Sequence, residues 1–66
     1  MKVSINRFVV ASKYNPMEFW VEDYGSGEDI MQAILYENEN DAIHDVEESD
    51  EPDLWRTMPV EVIYRF

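Results

Sequence analysis

The feature that most constrains this chain is a long acidic middle segment without a single basic residue. The five basic residues are confined to the two ends of the chain; they are Lys2, Arg7, Lys13, Arg56 and Arg65. Between Lys13 and Arg56 lie 14 of the 15 acidic residues, nine of them in the range Glu37–Asp53. This segment has no counter-charge of its own, and its self-repulsion costs stability in a small fold. It predicts an acidic surface that serves either solubility or the attraction of a basic partner.

The length and composition predict one small folded domain that spans residues 1–66. The 66 residues carry a formal net charge of −10, yet 45% of them are apolar and 14% are aromatic. This is too much apolar material for a disordered acidic tail. The chain has no cysteine, which excludes disulfides, thiol catalysis and zinc–thiolate sites. A fold this short therefore needs a dense aromatic core, a partner subunit or both.

Two strands are predicted in the first third of the chain. The range Val3–Ala11 is rich in Val, Ile and Phe, and its apolar residues change phase near Asn6, which a β-bulge would explain. After a turn at Asn15-Pro16, the range Met17–Asp23 alternates apolar and polar residues. The two strands are expected to pair as an antiparallel hairpin.

Two interpretations stay open for the residues that follow the second strand. The sequence Tyr24-Gly25-Ser26-Gly27 is typical of a flexible connection. Residues 28–36 carry apolar side chains at helical spacing, which fits one helix. They also fit one helical turn followed by a short strand at Ala33–Glu37. We favour the second interpretation, because the asparagines that follow would end such a strand.

A short helix is predicted from Asn38 or Asn40 to about Glu48. Asparagine is a good N-cap residue, and the helix dipole favours the acids Glu39 and Asp41 in the first turn. Three apolar residues are expected on its inner face: Ala42, Ile43 and Val46.

The last strand is predicted at Val60–Phe66, where apolar residues again alternate with polar ones. Pro59 indicates that this strand begins at a sheet edge or at a bulge. Together the elements predict an α+β fold: a small antiparallel sheet of three to four strands with one short helix packed on a face, in the chain order β-β-(β)-α-β.

No motif for catalysis or metal binding is present in the sequence. A nucleophile elbow needs Gly-x-Ser-x-Gly and a phosphate loop needs Gly-Lys-Ser/Thr, and the segment around Ser26 provides neither. His44, the one histidine, has no marked nucleophile and fits an exposed helix position. The acid runs do not follow the EF-hand pattern, because no glycine stands at its sixth position. The sequence therefore predicts a protein that is not an enzyme and has no cofactor and no metal site.

The acids most suited to binding lie on the predicted helix. Asp41, Asp45 and Glu48 recur at i, i+4 and i+7, so they form one stripe with about 5–6 Å between neighbours. Each DNA strand presents a phosphate about every 3.4 Å of helix axis, so this stripe and a nearby acidic strand or loop would resemble a row of phosphates. The candidate partner-binding residues are Glu18, Trp20, Glu22, Glu37, Glu39, Asp41, Asp45, Glu48, Asp50, Glu51 and Asp53.

Trp20 or Trp55 is the expected anchor of such an interface, and Trp20 has two interpretations. It is in phase with Glu18 and Glu22, so it points outward if its apolar neighbours in the strand face the core. Alternatively, the sheet is covered on both faces, or a twin subunit covers it. The second case supports an alternative function, a small self-associating adaptor that binds through an aromatic sheet face, with the acids serving only solubility.

The order of several short motifs resembles a recurring kind of short bacteriophage reading frame. These motifs are Arg7-Phe8-Val9-Val10, Asn15-Pro16, Phe19-Trp20-Val21, Asp29-Ile30-x-x-Ala33-x-x-Tyr36 and Glu39-x-Asp41-Ala42. The resemblance spans most of the chain and implies an early-expressed, non-structural protein. In size and acidity the chain is also similar to phage-encoded DNA mimics, among them uracil-DNA glycosylase inhibitors, anti-restriction proteins, anti-CRISPR proteins and inhibitors of host nucleoid proteins.

The first hypothesis is therefore a phage-type inhibitor for host takeover, which binds a basic nucleic-acid-binding host protein by mimicking DNA phosphate charge. A net charge of −10 repels nucleic acid and anionic lipid, so neither direct nucleic acid binding nor membrane binding is expected. The sequence shows no signal peptide and no long apolar run, so the host cytoplasm is the expected location. A homodimer is compatible with both hypotheses.

Overall fold

The computed structural model describes residues 1–15, 18–21 and 25–66, and within them four strands form one antiparallel sheet with one α-helix. The elements are β1 (Lys2–Ser12), β2 (Phe19–Val21), β3 (Gly25–Gly27), α1 (Glu39–Glu47) and β4 (Trp55–Arg65), and the sheet order is β3-β2-β1-β4. The helix packs on β1 and β4. The predicted α+β fold is confirmed. Five positions of the predicted turn, second strand and connection lie outside the described residues: Pro16, Met17, Glu22, Asp23 and Tyr24.

β1 and β4 form a long ribbon that is paired residue for residue from Lys2–Arg65 to Ser12–Trp55. Neither strand has an extra residue, so the bulge predicted near Asn6 is wrong. The change in apolar phase has another cause, because Val9, Val10 and Ala11 are all fully buried. Both faces of the sheet are covered at this point, and a strand covered on both faces carries a continuous apolar run.

β2 and β3 extend the sheet on the other side of β1. Ala11 pairs with Phe19 in the predicted antiparallel hairpin. β3 pairs with β2 along its whole length, so the interpretation of Gly25–Gly27 as a flexible connection is wrong. Glycine has a low strand propensity and carries no side chain that alternates, so the side-chain pattern gave no signal for this strand.

The favoured interpretation of residues 28–37 is confirmed in outline. A single 3-10 turn spans Ile30–Gln32, and the chain then runs extended to the helix. The extended residues form two isolated bridges, Val21–Ala33 and Phe8–Tyr36, rather than a full strand. Phe8 and Tyr36 each donate a backbone N–H to the other's carbonyl oxygen, at 2.9 and 2.8 Å.

The core consists of two clusters, one on each face of the sheet. On the face that carries the 3-10 turn, which we call the turn face, the buried residues are Val9, Ala11, Phe19 and Ala33, with Met58 and Val60 packed against them. On the other face, which we call the helix face, the buried residues are Val10, Ala42 and Val46, with Phe8, Trp20, Tyr36 and Trp55 packed against them. The sheet therefore separates two small cores, and neither is large enough to tolerate the loss of a large buried side chain.

Asn38 is the N-cap residue of α1, so the alternative start at Asn40 is wrong. The Asn38 side-chain oxygen accepts a hydrogen bond from the Asp41 N–H at 3.0 Å, and its amide group donates to the Asp41 carboxylate at 3.0 Å. The inner face of α1 consists of Ala42 and Val46. The prediction for Ile43 is wrong, since this side chain is 37% exposed.

We expect Asn38→Ala to lower the free energy of unfolding by about 1 kcal/mol, because the cap bond to the Asp41 N–H is lost. Asn40→Ala is the matched control, because Asn40 lies inside the helix, where alanine is the better helix former. Urea unfolding followed by far-ultraviolet circular dichroism measures both variants. A control that loses as much stability as Asn38→Ala would contradict the assignment of the cap.

β4 is longer than predicted and lies at one edge of the sheet. It begins at Trp55 rather than at Val60, and it includes Pro59. Pro59 does not begin the strand, but its predicted place at a sheet edge is confirmed, because β4 is the last strand in the sheet order.

Candidate functional site

An open groove lies on the helix face of the sheet. Among the described residues, three aromatic side chains line it, those of Trp20, Tyr36 and Trp55. Four carboxylates of the same described residues also line it, those of Asp45, Glu48, Asp50 and Glu51. The structure thus brings acidic and aromatic residues from four separate parts of the chain to one surface.

The two tryptophans pack against each other. Their ring centroids are 5.6 Å apart and the ring planes meet at 62°, which is an edge-to-face arrangement. Both rings pack against the cluster that contains Val10, and both are half-buried. Trp20 therefore does not stand free in solvent: the sheet is covered on both faces, and the exposed part of the Trp20 ring lines the groove.

The last turn of α1 and the loop after it supply the carboxylates. Asp45 is exposed and accepts a hydrogen bond from the Tyr36 hydroxyl at 2.8 Å, which ties the helix to the extended segment before it. Glu48 is the C-cap residue of the helix. The Ser49 hydroxyl donates to the Val46 carbonyl oxygen at 2.6 Å, so the chain turns sharply where Asp50 and Glu51 follow.

These carboxylates lie at the unfavourable end of the helix dipole. The C-terminus of a helix carries partial negative charge, and each acid near it costs about 0.3–1 kcal/mol when exposed. The acids of the first turn, Glu39 and Asp41, stabilise the helix instead. The acids at the C-terminal end of α1 therefore do not serve the stability of the helix.

The remaining candidate residues lie outside the groove or outside the described residues. Asp41 belongs to the helix stripe but is engaged by the Asn38 cap. Glu39 accepts a hydrogen bond from the Thr57 hydroxyl of β4 at 3.4 Å. Glu18 is half-buried where the chain enters β2, whereas Glu37 and Asp53 are exposed away from the lining. Glu22 lies outside the described residues.

The sequence-based list of candidates missed Tyr36. The sequence predicts Tyr36 only as part of the short strand Ala33–Glu37, yet its ring lines the groove and its hydroxyl donates a hydrogen bond to Asp45. The available signal was its position just before the acidic helix, where an extended residue returns to the sheet beside Phe8.

The basic residues lie along the ribbon rather than in the groove. Four of the five belong to β1 or β4, and the fifth, Lys13, follows β1 directly. The Arg7 guanidinium donates to the Asn6 carbonyl oxygen at 2.8 Å, and that of Arg56 approaches the Met58 Sδ at 3.9 Å. None of the described residues that line the groove is a lysine or an arginine. Its carboxylates therefore face solvent without a basic neighbour in the lining.

The described ranges show neither a metal site nor a membrane-spanning helix. Across residues 1–15, 18–21 and 25–66, no three His, Asp or Glu side chains are grouped so as to hold a metal ion. The helix found in those ranges is too short and too polar to cross a membrane. Comparisons of the chain with protein-family models, with curated proteins and with solved structures found no match in any of the three.

Proposed function

We propose that this protein binds a basic, nucleic-acid-binding protein and blocks its nucleic acid site, with the groove on the helix face as the contact surface. One observation carries the proposal. Asp45, Glu48, Asp50 and Glu51 line a groove beside exposed aromatic surface, and no lysine or arginine accompanies them among the described lining residues.

The electrostatics of the groove suit a partner that binds phosphates. Proteins hold the nucleic acid backbone mainly with Arg and Lys side chains. Carboxylates accept the same charge-assisted hydrogen bonds from a guanidinium group that phosphate oxygens accept. Because no lysine or arginine stands among the described residues that line the groove, a basic partner would be attracted from a distance and would replace water at these acids.

The aromatic residues of the groove add a contact that phosphate mimicry alone lacks. Arginine stacks on the faces of Trp and Tyr rings through cation–π attraction. The half-exposed rings of Trp20 and Trp55 line the same groove as the acids, so an arginine-rich partner surface that enters it meets rings and carboxylates together. This combination favours partners that use arginine rather than lysine.

The cost of the acids to the fold also supports a role in binding. A helix that ended with lysine or arginine would gain stability from the dipole. Here the only basic side chain in the last turn is His44, and the acids continue into the loop. Residues that lower the stability of the fold and make no compensating contact are typical of a functional surface.

The finer form of the proposal is an inhibitor made by a bacteriophage for host takeover, which acts in the host cytoplasm on a host protein without catalysis. This form rests on the resemblance to short phage reading frames and on the similarity in size and acidity to DNA mimics. Because of this resemblance, a bacterial lysate is the first to be tested.

The test is a capture experiment with the immobilised protein and a bacterial lysate, at low and at moderate salt, with duplex DNA as competitor. We expect capture of a basic DNA- or RNA-binding protein, displacement of that protein by DNA, and weaker capture as salt rises. A captured protein that is not basic and resists both salt and DNA would contradict mimicry.

A second candidate function is the adaptor that binds through aromatic surface, and the half-exposed tryptophan pair favours it. It predicts a complex that is insensitive to salt and is lost in Trp20→Leu. It also predicts that neutralising the groove acids leaves the complex intact. The two candidates therefore give opposite results when the same capture is repeated with the two kinds of variant.

A further inference from the structure

The outer edge of β4 carries backbone groups without a partner strand in the described residues. Phe8 exchanges both of its backbone hydrogen bonds with Tyr36, so its N–H and C=O point away from β4. Phe8 lies opposite Pro59. In an antiparallel ladder, two opposite residues either both bond to each other or both point their backbone groups away from each other, so the backbone groups of Pro59 point away from β1. The outward groups of β4 therefore belong to every second residue, counted from Pro59.

Pro59 divides this edge into two parts. A proline has no N–H to offer, so strand addition across Pro59 would lose a hydrogen bond. Beyond it, the range 60–66 contains no proline, and its outward N–H groups are those of Glu61, Ile63 and Arg65. Several apolar side chains in this range are exposed: Ile63 by 41%, Tyr64 by 48% and Phe66 by 80%. An open, apolar and proline-free edge is a template for another strand.

We propose that a second copy of this chain occupies this edge, with residues 60–66 of the two copies paired antiparallel about a two-fold axis at Ile63. In this register Glu61 lies opposite Arg65 of the second copy, and symmetry makes the contact twice. Val62 lies opposite Tyr64 of the second copy, and the two Ile63 side chains meet at the axis. Every cross-strand pair is then either of opposite charge or apolar.

A like-charge pair within one copy also supports this register. Within one copy Lys2 lies directly opposite Arg65 on the same face of the ribbon. Like charges in that position are unfavourable. A glutamate of the second copy, placed on the other side of Arg65, would offset that repulsion. The charge complementarity between the two copies therefore involves Lys2 of β1 as well as the residues of β4.

Neighbouring registers lack these features. With the axis at Val62, Pro59 would lie opposite Arg65 of the second copy, and Glu61 would face an isoleucine. With the axis at Glu61, two glutamates would face each other, which is unfavourable. The register at Ile63 is the one that keeps Pro59 outside the paired range 60–66 and matches both charges.

The dimer follows from the edge alone and does not depend on the proposed function of the groove. It joins the ends of the two ribbons, where each copy carries three basic residues, Lys2, Arg7 and Arg65, and the acid Glu61. The acidic helices remain distant from the contact, which limits their mutual repulsion. The two sheets become one continuous sheet with both helices on the same side of it.

A charge-reversal experiment on the full-length, untagged chain tests the register. Glu61→Arg alone and Arg65→Glu alone each place like charges opposite each other at two symmetric contacts. We expect each to weaken the dimer about 10- to 30-fold in sedimentation equilibrium. An equimolar mixture of the two variants restores opposite charges at both contacts, so it should dimerise about as well as the wild type. The double variant Glu61→Arg/Arg65→Glu should do the same.

Ile63→Pro tests the edge itself, because it removes an outward N–H and no hydrogen bond to β1. We expect a folded monomer, with unchanged far-ultraviolet circular dichroism. A wild type that is monomeric at all concentrations would overturn the proposal. A dimer that survives Ile63→Pro and both charge reversals, but is lost in Met31→Ser, would also overturn it, because it would form through the turn face, where Met31 is 88% exposed.

Discussion

Phe19→Ala should bring this domain to the edge of unfolding. Phe19 is 4% exposed and packs with Val9, Ala11 and Ala33 on the turn face. Replacing a buried phenylalanine by alanine costs about 3–5 kcal/mol. A domain of this length is stable by about 3–10 kcal/mol in total. We therefore expect loss of most or all of the urea unfolding transition, measured by tryptophan fluorescence.

The position of Phe19 in the sheet makes the loss of stability larger than the removed side-chain volume alone would cause. Phe19 is the β2 residue that pairs with Ala11 of β1, and it also pairs with Gly27 of β3. Loss of the side chain therefore weakens the packing that holds two short strands against a long one. No other described residue of β2 is as buried.

Tyr14→Ala is the matched control for this prediction. Tyr14 is also aromatic, lies in the turn that follows β1, and is 76% exposed. Its removal should change the free energy of unfolding by less than about 0.5 kcal/mol. Equal losses in the two variants would mean that the turn-face cluster does not hold β2 in the sheet.

Patterns that depend on side chains predicted most of the fold. The apolar runs located β1, the core of β2 and the second half of β4. The two asparagines placed the start of the helix only to within two residues, because Asn38 is the cap and Asn40 lies inside the helix. The errors arose where backbone pairing or double coverage decides the structure. β3 has two glycines among three residues, and the phase shift in β1 came from burial on both faces rather than from a bulge. A single strand's pattern cannot distinguish these causes, because both place apolar residues in consecutive positions.

The candidate site was predictable in part. Helical periodicity placed Asp45 and Glu48 on one stripe, and the sequence identified Trp20 as exceptional among the strand residues. It did not predict that Trp55 would pack against Trp20, because the two residues are far apart in the chain and meet only when β2 and β4 flank β1. It also did not separate the acids that stabilise the start of the helix from those that lie at its unfavourable end.

The fold separates the two signs of charge in space as the sequence separates them along the chain. β1 and β4 come from the two ends of the chain, so their pairing gathers the basic residues on one ribbon. The acidic middle of the chain then forms the helix and the loops around it. The described lining of the groove therefore contains acids and no lysine or arginine. For this reason net charge and local charge must be varied independently in any test of binding.

Neutralising the four acids of the groove should abolish capture of a basic partner. The variant carries Asp45→Asn, Glu48→Gln, Asp50→Asn and Glu51→Gln, and its net charge changes from −10 to −6. Each exposed charge contact is worth about 0.2–1 kcal/mol, so the loss of four should weaken binding about 100-fold. Asparagine at position 45 can still accept the Tyr36 hydrogen bond. Titration of the captured protein at two salt concentrations measures the loss of affinity and the expected loss of salt dependence.

The matched control removes four acids outside the groove. It carries Glu28→Gln, Glu37→Gln, Glu47→Gln and Asp53→Asn, all at exposed positions, and it reaches the same net charge. If the groove is the contact surface, this variant should keep most of its affinity, although its association rate should fall slightly with the weaker long-range field. Equal losses in the two variants would show that the overall charge attracts the partner and that the groove does not position it. Thermal unfolding separates either result from damage to the fold, because removing acids near the end of α1 should leave the unfolding temperature unchanged or raise it.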